Sequence, residues 1–416
     1  SPLYSSAASD VYKRQKLNRS VLKFGGSSVS DFTKIKNIAE MLKTRVDKGE
    51  ELIVVVSAMG KTTDQLMENV SSLTSTPKDQ ELALLLTTGE QQTVSYLSMV
   101  LNDIGVSAKA MTGYQAGIKT IGHHLKSKIA KIDPETFNQA FEKHDVLVVA
   151  GFQGINDEFE LTTLGRGGSD TTAVALAASN QTPCEIYTDV DGVYATDPRI
   201  LSHAKRLEYV SYEEMMEMSA LGAGVLETRS VELAKNYDIP LYLGRTLSNL
   251  KGTWIMSRTD LLEKKAVTGV ALDTHMMHVT ISYPLPDNRL LTQLFTELEE
   301  GSVNVDMISQ IVNLEGLQLS FSIKDSDVHQ ISSILENLSE QFDALDYKIN
   351  EEYVKISLIG SGMRDMSGVA SKAFMTLINS KIPFYQTTTS EISISYVIDA
   401  ENGQRAVEEL YKAFDI

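Results

Sequence analysis

The chain of 416 residues contains a single cysteine, Cys184, so no disulfide can form within it. That scarcity is typical of a reducing compartment, and we expect a cytoplasmic protein. Basic residues are also too few to balance the acids, and the net charge of −17 argues against nucleic acid or an anionic membrane surface as the main partner. No apolar run approaches the length of a membrane span. No Gly-x-x-x-x-Gly-Lys-Ser/Thr loop occurs, which excludes the P-loop hydrolases.

The length of the chain predicts two or three domains rather than one. Its 42% hydrophobic and 22% charged residues are ordinary for a globular protein. The first 15 residues are rich in serine and alanine and lack the apolar core of a signal peptide. We therefore expect residues 1–19 to be a non-native or disordered leader.

The first large region alternates short apolar strands with amphipathic helices. Strands are predicted at residues 21–24, 52–56, 106–110, 146–150, 185–188 and 240–243. The segment 147–150 is apolar on both faces, as a central parallel strand must be. Residues 20–262 therefore predict a parallel sheet with helices on both faces, whose ligands bind beyond the carboxyl ends of the strands.

The last third of the chain contains an internal duplication. The sequence HVTIS at 278–282 recurs 75 residues later as YVKIS at 353–357, and GLQLSFSI at 316–323 matches EISISYVI at 391–398. Each copy predicts strand, helix, strand, strand, helix, with helices at 290–299, 328–340, 369–379 and 404–414. We expect two small ferredoxin-like domains, residues 266–345 and 350–416, joined to the first region near residues 261–266.

The first predicted strand ends in a glycine loop that carries a lysine. Lys23 precedes Gly25, Gly26 and Ser27, and paired glycines allow backbone N–H groups to approach phosphate oxygens. A lysine adds a mobile positive charge for the same oxygens. Taken alone, an ordinary strand-to-loop turn and a phosphate loop are equally compatible with this segment.

A second loop surrounds Arg166 with three glycines before a helix of small residues. Its guanidinium can bind a carboxylate or phosphate with two parallel hydrogen bonds, and the N-terminus of the helix favours anions. The alternative is a helix cap with a solvated arginine. Three glycines exceed what a cap requires, so we favour the binding loop.

A third polar segment, residues 188–199, follows a predicted strand and is rich in carboxylates. A calcium loop is excluded because Ile200 lies where a bidentate glutamate is needed. Asp189 and Asp191 can orient ribose hydroxyls and Arg199 can meet phosphate, while a simple turn remains the alternative. His123 and His124 lack a cysteine or carboxylate at metal-ligand spacing, so we predict loop residues there and no metal site.

Taken together, four ordered motifs and the duplicated tail resemble aspartate kinase of the amino acid kinase family, from about residue 21 to the end. The motifs are residues 23–29, 87–90, 165–170 and 188–199. The tail resembles tandem ACT domains, and no homoserine dehydrogenase follows, as in the monofunctional form. The resemblance implies a three-layer αβα sandwich that phosphorylates the β-carboxylate of L-aspartate with ATP. Mg²⁺ is then bound through the nucleotide phosphates.

The resemblance also implies a role for each motif residue. Lys23 would neutralise phosphoryl charge and Asp170 would hold Lys23, while Arg166 and Glu90 would bind the α-carboxylate and α-ammonium of aspartate. Ser57, Thr63, Gly167, Gly168 and Ser169 would complete the substrate pocket. The nucleotide would contact Lys23, Phe24, Gly25, Gly26, Ser27, Thr188, Asp189, Tyr194, Asp197 and Arg199.

Regulation would map to the tail, through lysine and/or threonine bound where ACT domains pair side by side in a homodimer or higher oligomer. The expected effector residues are Asp287, Asn304, Asp306, Gln310, Thr389, Ser390 and Glu391.

The chain departs from the family pattern at residues 222–228. Many members read Gly-Ala-Lys-Val-Leu-His-Pro, and this chain has Gly224 for the lysine that contacts nucleotide and Glu227 for the histidine. This predicts altered nucleotide affinity and leaves the aspartate pocket intact; Arg229 is a candidate to supply the missing charge. A catalytically weak amino-acid sensor is one alternative, and another amino acid kinase, such as acetylglutamate or uridylate kinase, is a second.

Overall fold

The computed structural model describes residues 18–257, 265–313, 316–364 and 366–416, except for the side chains of residues 222 and 223. The chain forms two compact units. The first comprises Ser1–Val193, Arg206–Ser219 and Gly224–Asp260, and the second comprises Tyr194–Lys205, Ala220–Ala223 and Leu261–Ile416. Residues 1–17 of the predicted leader and most of the predicted junction lie outside the described residues. Arg19 already begins the first strand, so this residue belongs to the folded unit and not to the predicted leader.

The first unit contains the six predicted strands and six more. Its strands are β1 Arg19–Phe24, β2 Glu51–Val56, β3 Ala108–Met111, β4 Lys119–Ile121, β5 Lys128–Lys131, β6 Val146–Ala150, β7 Gln153–Ile155, β8 Leu161–Thr163, β9 Cys184–Thr188, β10 Tyr209–Val210, β11 Leu241–Arg245 and β12 Thr253–Ile255. Its helices are α1 Phe32–Val46, α2 Thr62–Leu73, α3 Asp79–Leu86, α4 Thr88–Asp103, α5 Glu135–Phe141, α6 Gly168–Asn180, α7 Tyr212–Met218 and α8 Thr228–Asn236.

An eight-stranded sheet forms the middle layer of this unit, in the order β10-β12-β11-β9-β1-β2-β6-β3. β9, β1, β2, β6 and β3 run parallel, and β12 pairs antiparallel with β11. Helices α1 and α4 pack on one face through a cluster that includes Ile38, Leu42 and Leu97. Helix α6 packs on the opposite face of β1 and β2. The predicted αβα sandwich is confirmed, and its central strands are buried on both faces.

A smaller sheet in the order β5-β4-β7-β8 was not predicted. Its strands are three or four residues long and contain lysines and threonines, so they have too little apolar periodicity to be recognised. This sheet positions the loop that follows β8, which contains Arg166.

The second unit contains the two predicted ferredoxin-like repeats. Its strands are β13 Gly269–Asp273, β14 Met276–Tyr283, β15 Asp306–Asn313, β16 Gly316–Lys324, β17 Asp346–Asn350, β18 Tyr353–Ile359, β19 Phe384–Thr389 and β20 Ser393–Asp399. Its helices are α9 Asn288–Glu300, α10 Val328–Gln341, α11 Val369–Asn379 and α12 Gly403–Phe414. The four helices agree with the predicted ones to within two residues.

The first repeat is inserted between β13 and the rest of the second repeat, which corrects the predicted domain boundaries. β13 precedes the first repeat in the chain but pairs with β18, in the sheet β13-β18-β20-β19. β17 follows the first repeat and completes its sheet, β15-β16-β14-β17. Residues 269–273 therefore belong to the second repeat, and residues 346–350 belong to the first. The first repeat is therefore one continuous segment, and the second repeat takes its edge strand β13 from the other side of that segment.

None of the helices in the described ranges is both long enough and apolar enough to cross a membrane.

Because the first repeat is inserted between two parts of the second, we expect the two repeats to unfold together. Phe321 is fully buried in the core of the first repeat, so Phe321→Ala should lower the free energy of unfolding by about 3–5 kcal/mol. Hydrogen exchange in intermediate urea should then show amides of β16 and β20 losing protection at the same urea concentration. Met375→Ala, at an exposed position of α11, is the control. Protection that persists in β20 after β16 has exchanged would contradict the cooperative unit.

Candidate active site

A buried ion pair lies at the carboxyl edge of the large sheet. Lys23 is near the end of β1 and Asp170 is in the first turn of α6, and Lys23 Nζ lies 2.5 Å from Asp170 Oδ1. Their side chains are only 10% and 12% exposed. The carboxylate compensates the ammonium, which would otherwise be costly to bury, and holds it at the end of the central strand.

The glycine loop after β1 has no room for a side chain at position 26. A Cβ atom on Gly26 would lie 2.9 Å from the carbonyl oxygen of Ala58, and one on Gly25 would lie 3.4 Å from Lys23 Nζ. The Gly60 N–H donates to the Gly26 carbonyl at 3.0 Å, which fixes the loop against the segment after β2. Lys34 Nζ also donates to the carbonyl of Ser27 at 2.9 Å. The backbone of Gly25 therefore lies beside the Lys23 ammonium, an arrangement that suits an anion.

Two serine hydroxyls meet at the same edge. Ser57 follows β2 and Ser169 is in the first turn of α6, and their Oγ atoms are 2.8 Å apart. Gly151, directly after β6, allows this approach because a Cβ atom there would lie 2.7 Å from Cβ of Ser169. Sequence reasoning missed Gly151, although a glycine directly after a fully apolar strand was the available signal. Thr63, in the first turn of α2, is partly exposed.

Glu90 is a buried carboxyl with incomplete hydrogen bonding. It lies in the first turn of α4, is 3% exposed, and Oε1 accepts the Ala58 N–H at 3.2 Å. Oε2 has no hydrogen-bond partner among the described residues. Burial raises the pKa of Glu90 to about 7. A buried carboxyl with a free oxygen can bind a cationic group. Such a cation would lower the pKa of Glu90, because it stabilises the ionised form.

The loop after β8 presents Arg166 to solvent. Gly165 and Gly167 on either side of it have φ angles of +78° and +65°, a conformation that glycine adopts at little cost. Gly168 then begins α6, and a Cβ atom there would lie 2.8 Å from the Phe152 ring. Arg166 is thus exposed at the end of a tightly constrained backbone, with its donors available to a ligand.

The ends of three strands are joined by hydroxyl groups on the other side of Lys23. Ser28 Oγ lies 2.6 Å from Thr246 Oγ1, and the Thr246 hydroxyl also lies within hydrogen-bond distance, 3.1 Å, of the Thr188 carbonyl. Thr188 itself donates to Asp189 at 2.9 Å. Sequence reasoning missed Thr246. Only the sheet order reveals it, because β11 is distant in sequence and adjacent to β9 in space.

Three predicted nucleotide residues, Tyr194, Asp197 and Arg199, belong to the second unit. Asp197 and Arg199 form an ion pair of 2.6 Å with each other, and this pairing lowers the pKa of Asp197. Asp191, in the first unit, lies 3.9 Å from Arg245. The structure places Thr188 and Asp189 at the carboxyl end of β9, and a nucleotide role for these two residues and for Tyr194, Asp197 and Arg199 stays a prediction.

The predicted effector residues are in the second unit. Asp306 begins β15 and accepts from Lys355 Nζ, on β18, at 2.6 Å. Lys355 is buried, whereas the side chain of Asp306 is 61% exposed, so the carboxylate remains accessible. This ion pair joins the two repeats. Asn304 and Gln310 are exposed near Asp306 in sequence.

The remaining effector candidates have local partners. Asp287 caps α9 and forms an ion pair of 2.5 Å with Arg289. Glu391 pairs with Arg364 at 3.2 Å. Ser390 Oγ accepts the N–H of Ser393 at 3.0 Å, and Thr389 ends β19. Within the described ranges, no three His, Cys, Asp or Glu side chains are grouped as metal ligands.

Comparison with known proteins agrees with this architecture. The amino acid kinase family matches residues 18–245 and the ACT domain matches residues 356–414. Aspartokinase 2 of Bacillus subtilis is 41% identical over 397 residues, covering 95% of this chain and 97% of that protein. Aspartokinase of Helicobacter pylori is 38% identical over 402 residues, covering 95% and 99%. The crystal structure of E. coli aspartokinase III in complex with aspartate and ADP has a TM-score of 0.76 at 21% identity, covering 95% and 99%, which shows a shared fold.

The raised pKa of Glu90 predicts a pH-dependent contribution to stability. Below the ordinary pKa of 4.5 the carboxyl is neutral in both the folded and the unfolded state. Between pH 4.5 and about 7 only the unfolded state ionises, so the relative stability of the folded state falls as pH rises, by on the order of 3 kcal/mol in total. Above about pH 7 the penalty is constant.

Glu90→Gln should remove this dependence, because the amide does not titrate and has nearly the same shape. The measurement is the difference in unfolding free energy between wild type and variant from pH 5 to pH 8. A difference that stays flat over this range would show that Glu90 titrates normally.

Proposed function

The chain belongs to the aspartokinases of the amino acid kinase family, and on that basis we propose how its residues perform and regulate the reaction. The proposed reaction transfers the γ-phosphoryl group of ATP to the β-carboxylate of L-aspartate and yields 4-phospho-L-aspartate. The observation that carries this assignment is the buried Lys23–Asp170 pair beside the glycine cradle of residues 25–27. It provides one fixed positive charge beside the loop where phosphate would bind.

Lys23 would stabilise the charge that spreads over the transferred oxygens. Asp170 orients the ammonium at 2.5 Å, so little reorganisation is needed during the reaction. A general base is unnecessary because the attacking carboxylate of aspartate is already ionised at neutral pH. The protein therefore contributes mainly positioning and electrostatic stabilisation.

The aspartate pocket would lie between Arg166 and Glu90. Arg166 has exposed donors that suit the α-carboxylate. Glu90 has a buried oxygen with no partner among the described residues, and it suits the α-ammonium. Ser57 and Ser169 form a hydroxyl pair that can bond to the substrate, and Thr63, Gly167 and Gly168 would complete the pocket.

The glycine cradle would fit the triphosphate because a side chain on Gly26 is excluded there and the backbone of Gly25 lies beside the Lys23 ammonium. Phe24, Gly25, Gly26, Ser27, Thr188 and Asp189 would bind the nucleotide from the first unit, and Tyr194, Asp197 and Arg199 remain proposed contributors. Mg²⁺, bound through the phosphates, would neutralise part of their charge. Asp170 is already engaged by Lys23, which supports a metal bound mainly through phosphates.

We propose that the ACT region makes the enzyme an allosteric one, with lysine and/or threonine as its effectors. The accessible carboxylate of Asp306 would bind the effector ammonium, with Asn304 and Gln310 as amide partners. Asp287, Thr389, Ser390 and Glu391 would complete the site where ACT domains of two copies pair in a homodimer or higher oligomer. A cytoplasmic location agrees with the single buried cysteine.

Lys23→Met should reduce kcat by roughly 10²-fold or more, because it removes the charge that stabilises the transferred phosphoryl group. Activity is measured as aspartyl-hydroxamate formation, and the double variant Lys23→Met with Asp170→Asn tests whether an unpaired buried carboxylate contributes to the loss. Lys36→Met, at an exposed position of α1, is the matched control. A Lys23 variant with nearly normal kcat would remove this lysine from the mechanism.

Asp306→Ala should relieve inhibition by lysine or threonine and leave basal activity near that of wild type. The physical reason is loss of the carboxylate that pairs with the effector ammonium. The measurement is activity against effector concentration, with each amino acid added singly and together.

Lys355→Met is the control, because it breaks the same ion pair but keeps the carboxylate. Inhibition should persist in this variant. Equal loss of inhibition in both variants would show that the link between the repeats matters, and not an effector contact with Asp306.

A further inference from the structure

We propose that Arg229 and Glu227, at the start of α8, position the loop that carries Arg166 and thereby set the affinity for aspartate. The inference rests on the proposed role of Arg166 as the clamp for the α-carboxylate. The sequence alone predicts that the departure from the family pattern at residues 222–228 alters nucleotide affinity, with Arg229 as a candidate charge for the nucleotide. The contacts of Glu227 and Arg229 favour the aspartate site instead. Both residues act here as positioning residues that reach the substrate only through the loop.

Arg229 joins two segments of backbone through one guanidinium. One terminal nitrogen donates to the carbonyl of Leu164 at 3.0 Å, and the other donates to the carbonyl of Ser127 at 3.0 Å. Leu164 lies two residues before Arg166. Because hydrogen bonds from a charged donor are stronger than neutral ones, this fork is a stiff link between α8 and the start of the loop. Two of its donors are therefore engaged with backbone carbonyls of the segments around Arg166.

Other bonds converge on the same short segment. The Thr163 N–H donates to the carbonyl of His124 at 2.7 Å, and the Ser127 N–H donates to the carbonyl of Thr163 at 2.9 Å. The Leu164 N–H donates to the carbonyl of Phe152 at 2.9 Å. Backbone hydrogen bonds with residues 124, 127 and 152 thus fix the two residues before Gly165. Arg229 adds a hydrogen bond from a charged donor to the same segment. Since the Arg166 side chain is itself exposed, its location depends on this backbone.

Glu227 holds the other side of the loop by close packing. A Cβ atom on Gly167 would lie 1.9 Å from Cγ of Glu227 and 2.6 Å from its Cβ. Glu227 is the N-cap residue of α8, but it makes no side-chain cap bond among the described residues. Its side chain therefore packs on Gly167, directly after Arg166. Arg229 restrains the backbone before Arg166, and Glu227 restrains the backbone after it. The segment 165–167 is therefore held at both ends.

Gly224 differs from the family lysine for a conformational reason as well. Its φ angle is +50°, in the left-handed region that residues with side chains rarely adopt. A glycine at position 224 therefore suits the backbone conformation that leads into α8.

The test compares KM for aspartate with KM for ATP in the full-length enzyme. Arg229→Gln should raise KM for aspartate about tenfold, the scale of one lost hydrogen bond from a charged group, and change KM for ATP less than twofold. Arg229→Lys, which can bond only one of the two carbonyls well, should fall between the variant and wild type. Glu227→Ala should also raise KM for aspartate, and Glu227→Gln, which keeps the packed atoms, should restore it.

A double-mutant cycle distinguishes positioning from general destabilisation. If Arg229 acts through Arg166, adding Arg229→Gln to Arg166→Ala should cause no further rise in KM for aspartate. Lys43→Met is the matched control. Lys43 is in the last turn of α1, at the amino edge of the sheet, and its Nζ donates to the backbone carbonyl of Ile104 at 2.6 Å, so the variant also removes a charged donor from a backbone carbonyl. This control should leave both KM values unchanged.

The outcomes separate this inference from the proposed function. Selective loss of ATP affinity in the Arg229 or Glu227 variants would return these residues to the nucleotide side and overturn the proposal. Additive effects in the cycle, or unchanged KM for aspartate, would also overturn it. If Arg229→Gln does not fold, Arg229→Lys and the Glu227 pair decide the same question. Wild-type enzyme without aspartate-dependent activity would refute the proposed function instead.

Discussion

The Lys23–Asp170 ion pair is the constraint on which the catalytic arrangement depends. A lysine that ends a fully buried central strand must be compensated, and the compensating carboxylate comes from the first turn of α6. This requirement fixes where α6 begins relative to β1. The loop before α6 then carries Arg166, and the first turn of α6 supplies Ser169 opposite Ser57. One buried charge pair therefore sets the positions of the phosphate cradle and of the proposed carboxylate clamp.

Close backbone approach is the second requirement of this edge. Gly26, Gly151 and Gly167 occupy positions where an added Cβ atom would lie within 3.0 Å of other atoms. Each permits a contact that a larger residue would prevent: loop against loop, Ser169 against β6, and Glu227 against the arginine loop. The site is thus formed largely by backbone and short side chains, with the few charged groups held by neighbours. Such preorganisation suits phosphoryl transfer, where positioning and electrostatics dominate.

The second unit depends on strand pairing and on an ion pair between its two repeats. Its first repeat is inserted between β13 and the rest of the second, and a buried Lys355 on the second repeat pairs with Asp306 on the first. This ion pair connects β15 and β18 directly, without any intervening flexible linker. Coupling of this kind can shift an equilibrium only to the extent that an effector binds the two arrangements differently.

The sequence alone determined the elements and the chemistry of the motifs. Apolar periodicity located the six main strands and the four helices of the tail, and glycine clusters around Lys23 and Arg166 identified the two loops. It could not reveal residues whose importance comes from neighbours distant in the chain. Thr246 meets Ser28 because β11 and β1 flank β9, and β13 joins β18 across the whole first repeat. The same holds for Arg229: its sequence position indicated a charge for the nucleotide, and only the tertiary structure showed both nitrogens bonded to the carbonyls that support the arginine loop. Local patterns fix secondary structure, whereas sheet order and long-range hydrogen bonds decide which side chains meet.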